Sequence, residues 1–516
     1  SGNGYWEEAL GFGVSPGLDD STMPHELINT AINAFTFKQA TYTDRLVGDD
    51  ETNSHPSFVG NTIQQAFLHS NRLGFLTQDN VSMSQSGEFF NFYHVSARTI
   101  VDSDPVDISC SSIRPAVLHG VVSTSQGLVL FSRGQQFLLT AIDNIMTPRT
   151  TNIRTISSYE MDTDVDPVDV GTDINFISKT SSFTRVFSMQ TRGQQDNPTV
   201  LDISKIVNEY IPSNIDTMIA SPQNQFIALS SQASNKMFLY SFYNDGEKNL
   251  LESWYSWQMP GLVQTCAVDQ DDMYVVTKQS SQYTLGKATI NQSPDTAIIV
   301  NSNGSRVNPS VDLYATASSV VFDSANNQTK CYLPYNDVPG LKPVLLIAGS
   351  TLQGSFVESG FTITPTRGTD GTGDHFIVPK KDLTSQASDV IVGFKYDFDV
   401  ELPTTFYARS DDGKIVDFTA RLTIARYVFS LGLSGVMSFK TKAKGSSEWF
   451  ELYPVANANY YLANDIPLED EQYVTLPIHQ NNKNFTLRLF NDSPFPVSVG
   501  SMMWEGNYSP RYYRRT

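Results

Sequence analysis

Apolar residues along this chain come in short bursts separated by polar turns. Residues 116–140, AVLHGVVSTSQGLVLFSRGQQFLLT, hold three such bursts, broken by Ser-Gln-Gly and Arg-Gly. The idea recurs at 174–190, 217–231, 236–257, 262–279 and 282–290. In several of these stretches an apolar burst precedes a polar turn and a second apolar strand follows. That is the pattern of successive β-hairpins. Hairpins continuing from residue 61 to 295 predict a β-propeller-like domain. No Trp-Asp or kelch signature sets the number of blades. One stretch, DISKIVNEYI at 202–211, reads instead as a helix.

Residues 296–420 are looser and rich in Ser, Gly, Asn and Thr, with strand bursts such as LKPVLLIAGS and DVIVGFKYDFDVEL. Residues 421–516 alternate more cleanly, as in RLTIARYVFSLGLSGVMSFKTK and NFTLRLFNDSPFPVSVGSMMWEG, and predict a β-sandwich-like domain. The basic, aromatic end NYSPRYYRRT is too short for a nucleic-acid domain and reads as a docking terminus. Residues 1–60 are turn-rich. TMPHELINTAINAFTF predicts a short helix or a strand pair, and VGDDETNSHPSFVG a loop; NTIQQAFLHS after them reads as a short helix or the entry to a strand. The expected fold is mainly β, a propeller followed by sandwich-like domains. Expected boundaries are 1–60, 61–295, 296–420 and 421–516.

Residues 71–94, NRLGFLTQDNVSMSQSGEFFNFYH, collect an Arg, carboxylates, hydroxyls, a His and five aromatic rings. The alternation predicts two strands joined by a TQDN turn, with Gly87 turning the chain into an aromatic strand. Arg72, at the head of the apolar run that starts with Leu73, is expected to be buried as a planar donor fork for backbone carbonyls or a carboxylate. No base sits at a spacing that would activate Ser82, Ser84 or Ser86. The stretch therefore reads as a structural seam, not a catalytic pocket.

Composition agrees. Of 516 residues 40% are hydrophobic, enough for real cores, and only 17% are charged, which favours strands and turns. Acids outnumber bases 54 to 35, for a formal charge of −19. Such a chain lacks the Lys and Arg clusters that bind nucleic acid by counterion release, yet a like-charged wall lets DNA pass without sticking. Cys110, Cys266 and Cys331 are far apart and form no CxxC pair, so they read as reduced, buried thiols. No apolar run approaches the roughly 20 residues that span a bilayer, and no secretory apolar segment opens the chain. It begins SGNGYWEEAL without Met, which reads as a processed chain or a piece of a longer one.

Catalytic motifs do not appear. GLSG at 432–435 is one residue short of a nucleophile elbow, and Walker, HExxH and GxGxxG patterns are missing. A glycosidase needs two carboxylates facing each other across a sugar. Glu7 with Glu8, Asp49 with Asp50, and Glu88 are the candidates, but adjacent acids on an extended chain point to opposite faces. The repeated DSDPVDIS and DVDPVDVG, at 102–109 and 164–171, could form a calcium loop or an Asx-turn before Pro that starts a strand. The loops lack the Gly and distal Glu of an EF-hand. No catalytic, cofactor-binding or metal-ligating residue is assigned, and no cofactor is expected.

The segments GYWEEA, TMPHEL, RLVGDDETNSHPSFVG and the long run from NRLGFL to DPVDIS closely resemble the tail tubular protein B family, the tail nozzles of autographivirus-type short-tailed bacteriophages. LVLFSRGQQF is similar to the propeller region of that family, and FTLRLFNDSPFPVSVGSMMWEGNYSPRYYRR to its C-terminus. The resemblance is specific over residues 1–140 and again near the end. It makes residues 1–60 the end of a platform-like region and 296–420 a variable distal nozzle region; the family's chain is longer at the N-terminus. It implies a non-enzymatic virion protein: a homo-hexameric ring below the adaptor ring (tail tubular protein A) that holds genomic DNA, then passes it without specific binding. It also implies attachment of tail fibres and contact with the host cell surface. Two other classes stay open on the sequence: a tail-associated polysaccharide or peptidoglycan hydrolase, and a glycan-binding receptor-recognition module.

Overall fold

The computed structural model describes residues 4–110, 115–141, 145–190, 197–244, 249–290, 297–300, 306–348, 361–410, 415–435, 437–452 and 471–510. The chain divides into two compact units, Ser1–Ile290 and Asn291–Thr516. Both are built of small antiparallel sheets. Among the described residues the helical segments are 3-10 turns at Asp20–Thr22, Lys205–Val207 and Thr384–Asp389.

In the first unit the predicted hairpins run in chain order into five meanders. The first sheet holds Gln65–His69, Arg72–Thr77, Asn80–Met83 and Val106–Ser109. The second holds Leu118–Thr124, Gly127–Ser132, Gln136–Ala141 and Thr151–Ser157. The third holds Val168–Asp169, Asp173–Lys179, Thr184–Gln190 and Thr199–Asp202. The fourth holds Thr217–Ser221, Phe226–Ser230, Lys236–Asn244 and Asn249–Gln258, and the fifth Leu262–Asp269, Asp272–Gln279 and Gln282–Thr289. Tight turns set the registers. Ser70 and Asn71, at φ of 48° and 60°, make the two-residue reversal whose twist matches the flanking strands.

Successive sheets share cores. In Gly127–Ser132, Leu128 and Leu130 pack with Leu76, Val81 and Met83 of the first sheet. The alternate residues Val129 and Phe131 pack with Ile174, Phe176 and Met189 of the third. The fourth sheet repeats this: Ile227 and Leu229 join Ile177 and Val186 of the third, whereas Phe226 and Ala228 join Met273 and Val275 of the fifth. A strand covered on both faces has no polar side to show. That is why GLVLFS and FIALS read as continuous apolar runs instead of alternating. Small meanders stacked face to face in chain order are consistent with propeller blades. The other face of the first sheet carries Phe75, which packs with Met23, Ala40, Tyr42, Phe58 and Phe92 of the segments around it.

The second unit holds two sandwiches. One packs the sheet of Asp312–Thr316, Val390–Lys395, Lys342–Ile347 and Phe361–Ile363 against that of Ser319–Asp323, Gln328–Tyr332, Gly373–Pro379 and Thr366–Asp370. Leu345, Val392 and Phe394 meet Cys331, Phe376 and Val378 between them. The other packs Phe398–Glu401, Phe485–Asn491, Ser438–Ala443 and Phe450–Leu452 against Gln472–Asn481, Arg421–Leu431 and Val499–Ser509. Its core joins Ile424, Phe429 and Leu476 to Phe439, Leu487 and Leu489.

Of the two readings of TMPHELINTAINAFTF, the strand pair is the one formed: Glu26–Ala31 with Ala34–Lys38. NTIQQAFLHS enters the strand Gln65–His69. Two expectations are corrected. Residues 202–211 form no helix beyond the 3-10 turn Lys205–Val207, and Glu209 sits at φ 67°. Ser204 donates its hydroxyl to Asp202 Oδ1 at 2.7 Å and accepts the Val186 N–H at 3.1 Å; Ile211 O accepts the Thr184 N–H at 2.9 Å. The backbone groups a helix would use are spent on the neighbouring strand. The aromatic residues after Gly87 form a turn and loop, not a strand. Glu88 N–H bonds Gln85 O at 3.2 Å and Asn91 N–H bonds Glu88 O at 3.2 Å, which curls the chain so that Phe92 and Tyr93 turn inward. The predicted docking terminus lies, from residue 511 on, outside the described residues.

Candidate functional site

The stretch singled out by sequence is a buried joint. Arg72 is 2% exposed. Its Nη1 donates to Ser84 O at 2.7 Å, Asp104 O at 2.7 Å and Ser103 O at 3.2 Å. Its Nη2 donates to Asp102 O at 3.1 Å and Met146 O at 3.2 Å. One guanidinium thus ties the first sheet, the loop before residue 106 and the segment that follows the third strand of the second sheet. Burial pushes its pKa down and the nearby Asp104 carboxylate pulls it back up.

A second cation does the same for the N-terminal loops. Arg45, 1% exposed, donates through Nη1 to Asp50 Oδ1 at 2.9 Å and Asn53 O at 2.7 Å, and through Nη2 to Ser15 O at 2.7 Å. Its guanidinium lies 5.7 Å from the Tyr93 ring centroid. Asn53 exchanges hydrogen bonds with the His94 backbone at 3.0 and 3.1 Å, and His55 meets the Tyr93 hydroxyl at 2.8 Å. Phe75 and Phe92 stack at 5.2 Å, and Phe58 meets both edge-on at 5.4 and 5.1 Å. Arg45 carried no expectation of its own; its loop stood out in the sequence only for Asp49 and Asp50 and within the segment RLVGDDETNSHPSFVG.

Of the enzyme candidates, Glu8 and Asp49 hold backbone. Glu8 accepts the Ser96 hydroxyl at 3.0 Å and the Ala97 N–H at 2.8 Å. Asp49 accepts the Glu51 and Thr52 N–H groups at 3.1 and 2.9 Å, which hold its carboxyl below the usual range. Asp50 pairs with Arg45. Glu7 and Glu88 are exposed. Ser82 has a carboxylate neighbour that spacing did not reveal: Asp107 Oδ1 lies 3.1 Å from its Oγ. That carboxylate already holds the Ser57 hydroxyl and N–H, both at 2.7 Å, and Ser82 is 1% exposed, so the group clips a loop to the first sheet.

The repeated Asp-Pro segments serve the backbone in the same way. Asp104 accepts the Val95 and Val101 N–H groups at 3.3 and 2.8 Å, and the strand Val106–Ser109 starts after Pro105. In the second copy Asp169 accepts the Gly171 N–H at 2.7 Å, and the short strand Val168–Asp169 starts after Pro167. Cys110, Cys266 and Cys331 are free and buried, and burial raises the thiols of Cys110 and Cys331 to about 12.

A profile of the bacteriophage nozzle protein family matches residues 1–515. The chain belongs to the bacteriophage nozzle protein family. It is 27% identical over 520 aligned residues to the tail tubular protein gp12 of Escherichia phage T7, covering 98% of this chain and 63% of that protein. The chain thus spans under two thirds of the length of that nozzle-family relative. Among solved structures, Hsv2p of Kluyveromyces lactis aligns over 58% of this chain and 85% of its own at 9% identity, with a TM-score of 0.30. The Neurospora crassa Pan2 WD40 domain aligns over 54% of this chain and 77% of its own at 10% identity, with a TM-score of 0.25. Scores this low add nothing to the assignment. Membership of the nozzle family makes this a structural protein of the phage tail, and it places in a virion component the mainly-β architecture described above.

Proposed function

We propose that several copies of this chain close into a ring that forms the wall of the DNA conduit at the tip of a short tail. The family match across residues 1–515 carries the reading. Six copies, stacked under an adaptor ring and bearing tail fibres, are the arrangement its resemblance implies. In this reading residues 61–295 form the propeller-like body, and 296–420 and 421–516 the distal and C-terminal parts. The role is mechanical and electrostatic, not catalytic. The formal charge of −19 supports it. A wall of the same sign as phosphate has no cations to displace the counterions condensed on DNA, so duplex DNA slides instead of adhering. Among the acid candidates Asp50 is engaged by Arg45, and Asp49 and Glu8 by backbone N–H groups.

Imaging of tail particles tests the proposal. A ring of several copies below the portal is the expected result. A single copy per particle, or copies outside the conduit, overturns it.

A further inference from the structure

The last sandwich treats its two sheets differently. One ends in the short strands Phe398–Glu401 and Phe450–Leu452, with sequences FDVE and FEL. Short, acid-bearing outer strands are how natural sheets prevent pairing with another chain. The facing sheet is ordered Gln472–Asn481, Arg421–Leu431, Val499–Ser509, and among the described residues both outer strands are open on their far side. They are long, at 10 and 11 residues. QYVTLPIHQN carries no Asp, Glu, Lys or Arg. VGSMMWEGNYS carries only Glu505, which Arg426 holds at 2.6 Å. Met503 is 55% exposed and Tyr473 67%. Pro477, which has no N–H, confines the unguarded stretch of the first edge to 472–476.

Both outer strands run antiparallel to Arg421–Leu431, so they run parallel to each other. A rotation can therefore bring one edge of this sheet against the other edge of an identical sheet, head to tail, and repeat. Such a contact closes into a ring. Pairing one edge with itself would instead need a two-fold axis and stop at a dimer.

We propose that this sheet is the ring-closing element: the Val499–Ser509 edge of one copy pairs with the Gln472–Asn481 edge of the next. The occupant of each edge is a second copy of this chain, so the inference rests on the ring reading above. Three strands from each of six copies give an 18-stranded closed sheet. At roughly 4.8 Å per strand and a tilt of about 40°, opposing backbones stand about 36 Å apart, which leaves an aqueous channel after side chains are placed. The face away from the sandwich core lines that channel. It bears the rows Tyr473–Ser430–Ser501 and Thr475–Val428–Met503, beside the Arg426–Glu505 pair. These positions are mixed in polarity, and their one cation, Arg426, is paired with Glu505, so they offer duplex DNA no free cation to adhere to. The other sheet of the sandwich lies outside it.

The test uses assembled tails carrying Thr475→Cys together with Ser501→Cys, treated with a short bis-maleimide that tolerates an offset in register. The three native cysteines are buried, so wild-type tails give the background. The double variant is expected to give a ladder of cross-linked chains ending at the ring size, and each single variant to stay monomeric. Met503→Lys, an exposed position whose change spares the core, is expected to reduce incorporation into tails at least tenfold with thermal unfolding of the free chain unchanged. Cross-linked dimers from Ser501→Cys alone indicate two-fold pairing and overturn the proposal. So does an uncross-linked double variant in tails shown by mass to hold several copies, an outcome that leaves the ring reading standing. Tails holding one copy overturn both.

Discussion

Arg72 shows what one residue can hold. Its five carbonyl acceptors come from segments separated by up to 74 positions in sequence. Removing the side chain leaves buried carbonyls without donors and a cavity beside them. Arg72→Ala is expected to cost at least about 3 kcal/mol in denaturant unfolding. Arg72→Lys is expected to recover little, because an ammonium cannot reproduce the fork. A folded Arg72→Ala protein of wild-type stability is the result that refutes the structural role. A second residue sets a pH dependence. Burial raises the Asp312 carboxyl to about 6. The folded state then holds a proton that the unfolded chain, with its ordinary carboxylate, releases near pH 4. Stability from this group is full below pH 4 and declines as pH rises through 6. Asp312→Asn is expected to be neutral at pH 4 and stabilising by about 2 kcal/mol at pH 7, read from unfolding curves at the two pH values.

At the scale of elements, the strands covered on both faces join one sheet to the next. Phe131 is fully buried, 5.5 Å from Phe176 of the following sheet. Phe131→Ala is expected to destabilise the first unit by about 3–5 kcal/mol. Hydrogen exchange should show the loss in the second and third sheets before the first. The turn that starts the same strand depends on glycine. Gly127 adopts φ 136°, and a Cβ there would meet Leu139 O at 2.2 Å. Gly127→Ala is expected to cost 2 kcal/mol or more, on the order of strain plus overpacking, by the same unfolding assay. The misread helix at 202–211 belongs to this scale too. Its apolar spacing suits a helix, but Trp254 Nε1 claims Ile203 O at 3.1 Å and Ser204 claims the Val186 N–H.

For the whole molecule, charge and assembly act together. The chain has 19 more acids than bases, and its buried cations Arg45 and Arg72 are enclosed by their acceptors. Purified protein is expected to retain little duplex DNA at physiological salt, with a shallow dependence of binding on salt concentration. Tight retention with a steep salt slope, measured by filter binding or anisotropy, contradicts an adhesion-free wall. A sheet with two long edges that carry a single charged residue between them, Glu505, is an aggregation hazard in a monomer. In a ring the same edges are satisfied, so the hazard and the assembly have one cause.

The sequence by itself determined the fold class and most of the strands, because apolar bursts and turn residues act within a few positions of themselves. The apolar run that starts at Leu73 also pointed to an enclosed Arg72. Tertiary structure decided the rest. It chose the five carbonyls that Arg72 reaches, brought Asp107 to Ser82 across 25 positions, and set Arg45 under Tyr93. It turned the aromatic stretch after Gly87 from a strand into a curled loop and took the backbone groups of residues 202–211 for a neighbouring strand. These outcomes depend on which distant segments pack together. Local periodicity carries no record of that, because the same pattern of apolar and polar positions is compatible with many partners and only packing and hydrogen-bond satisfaction select among them.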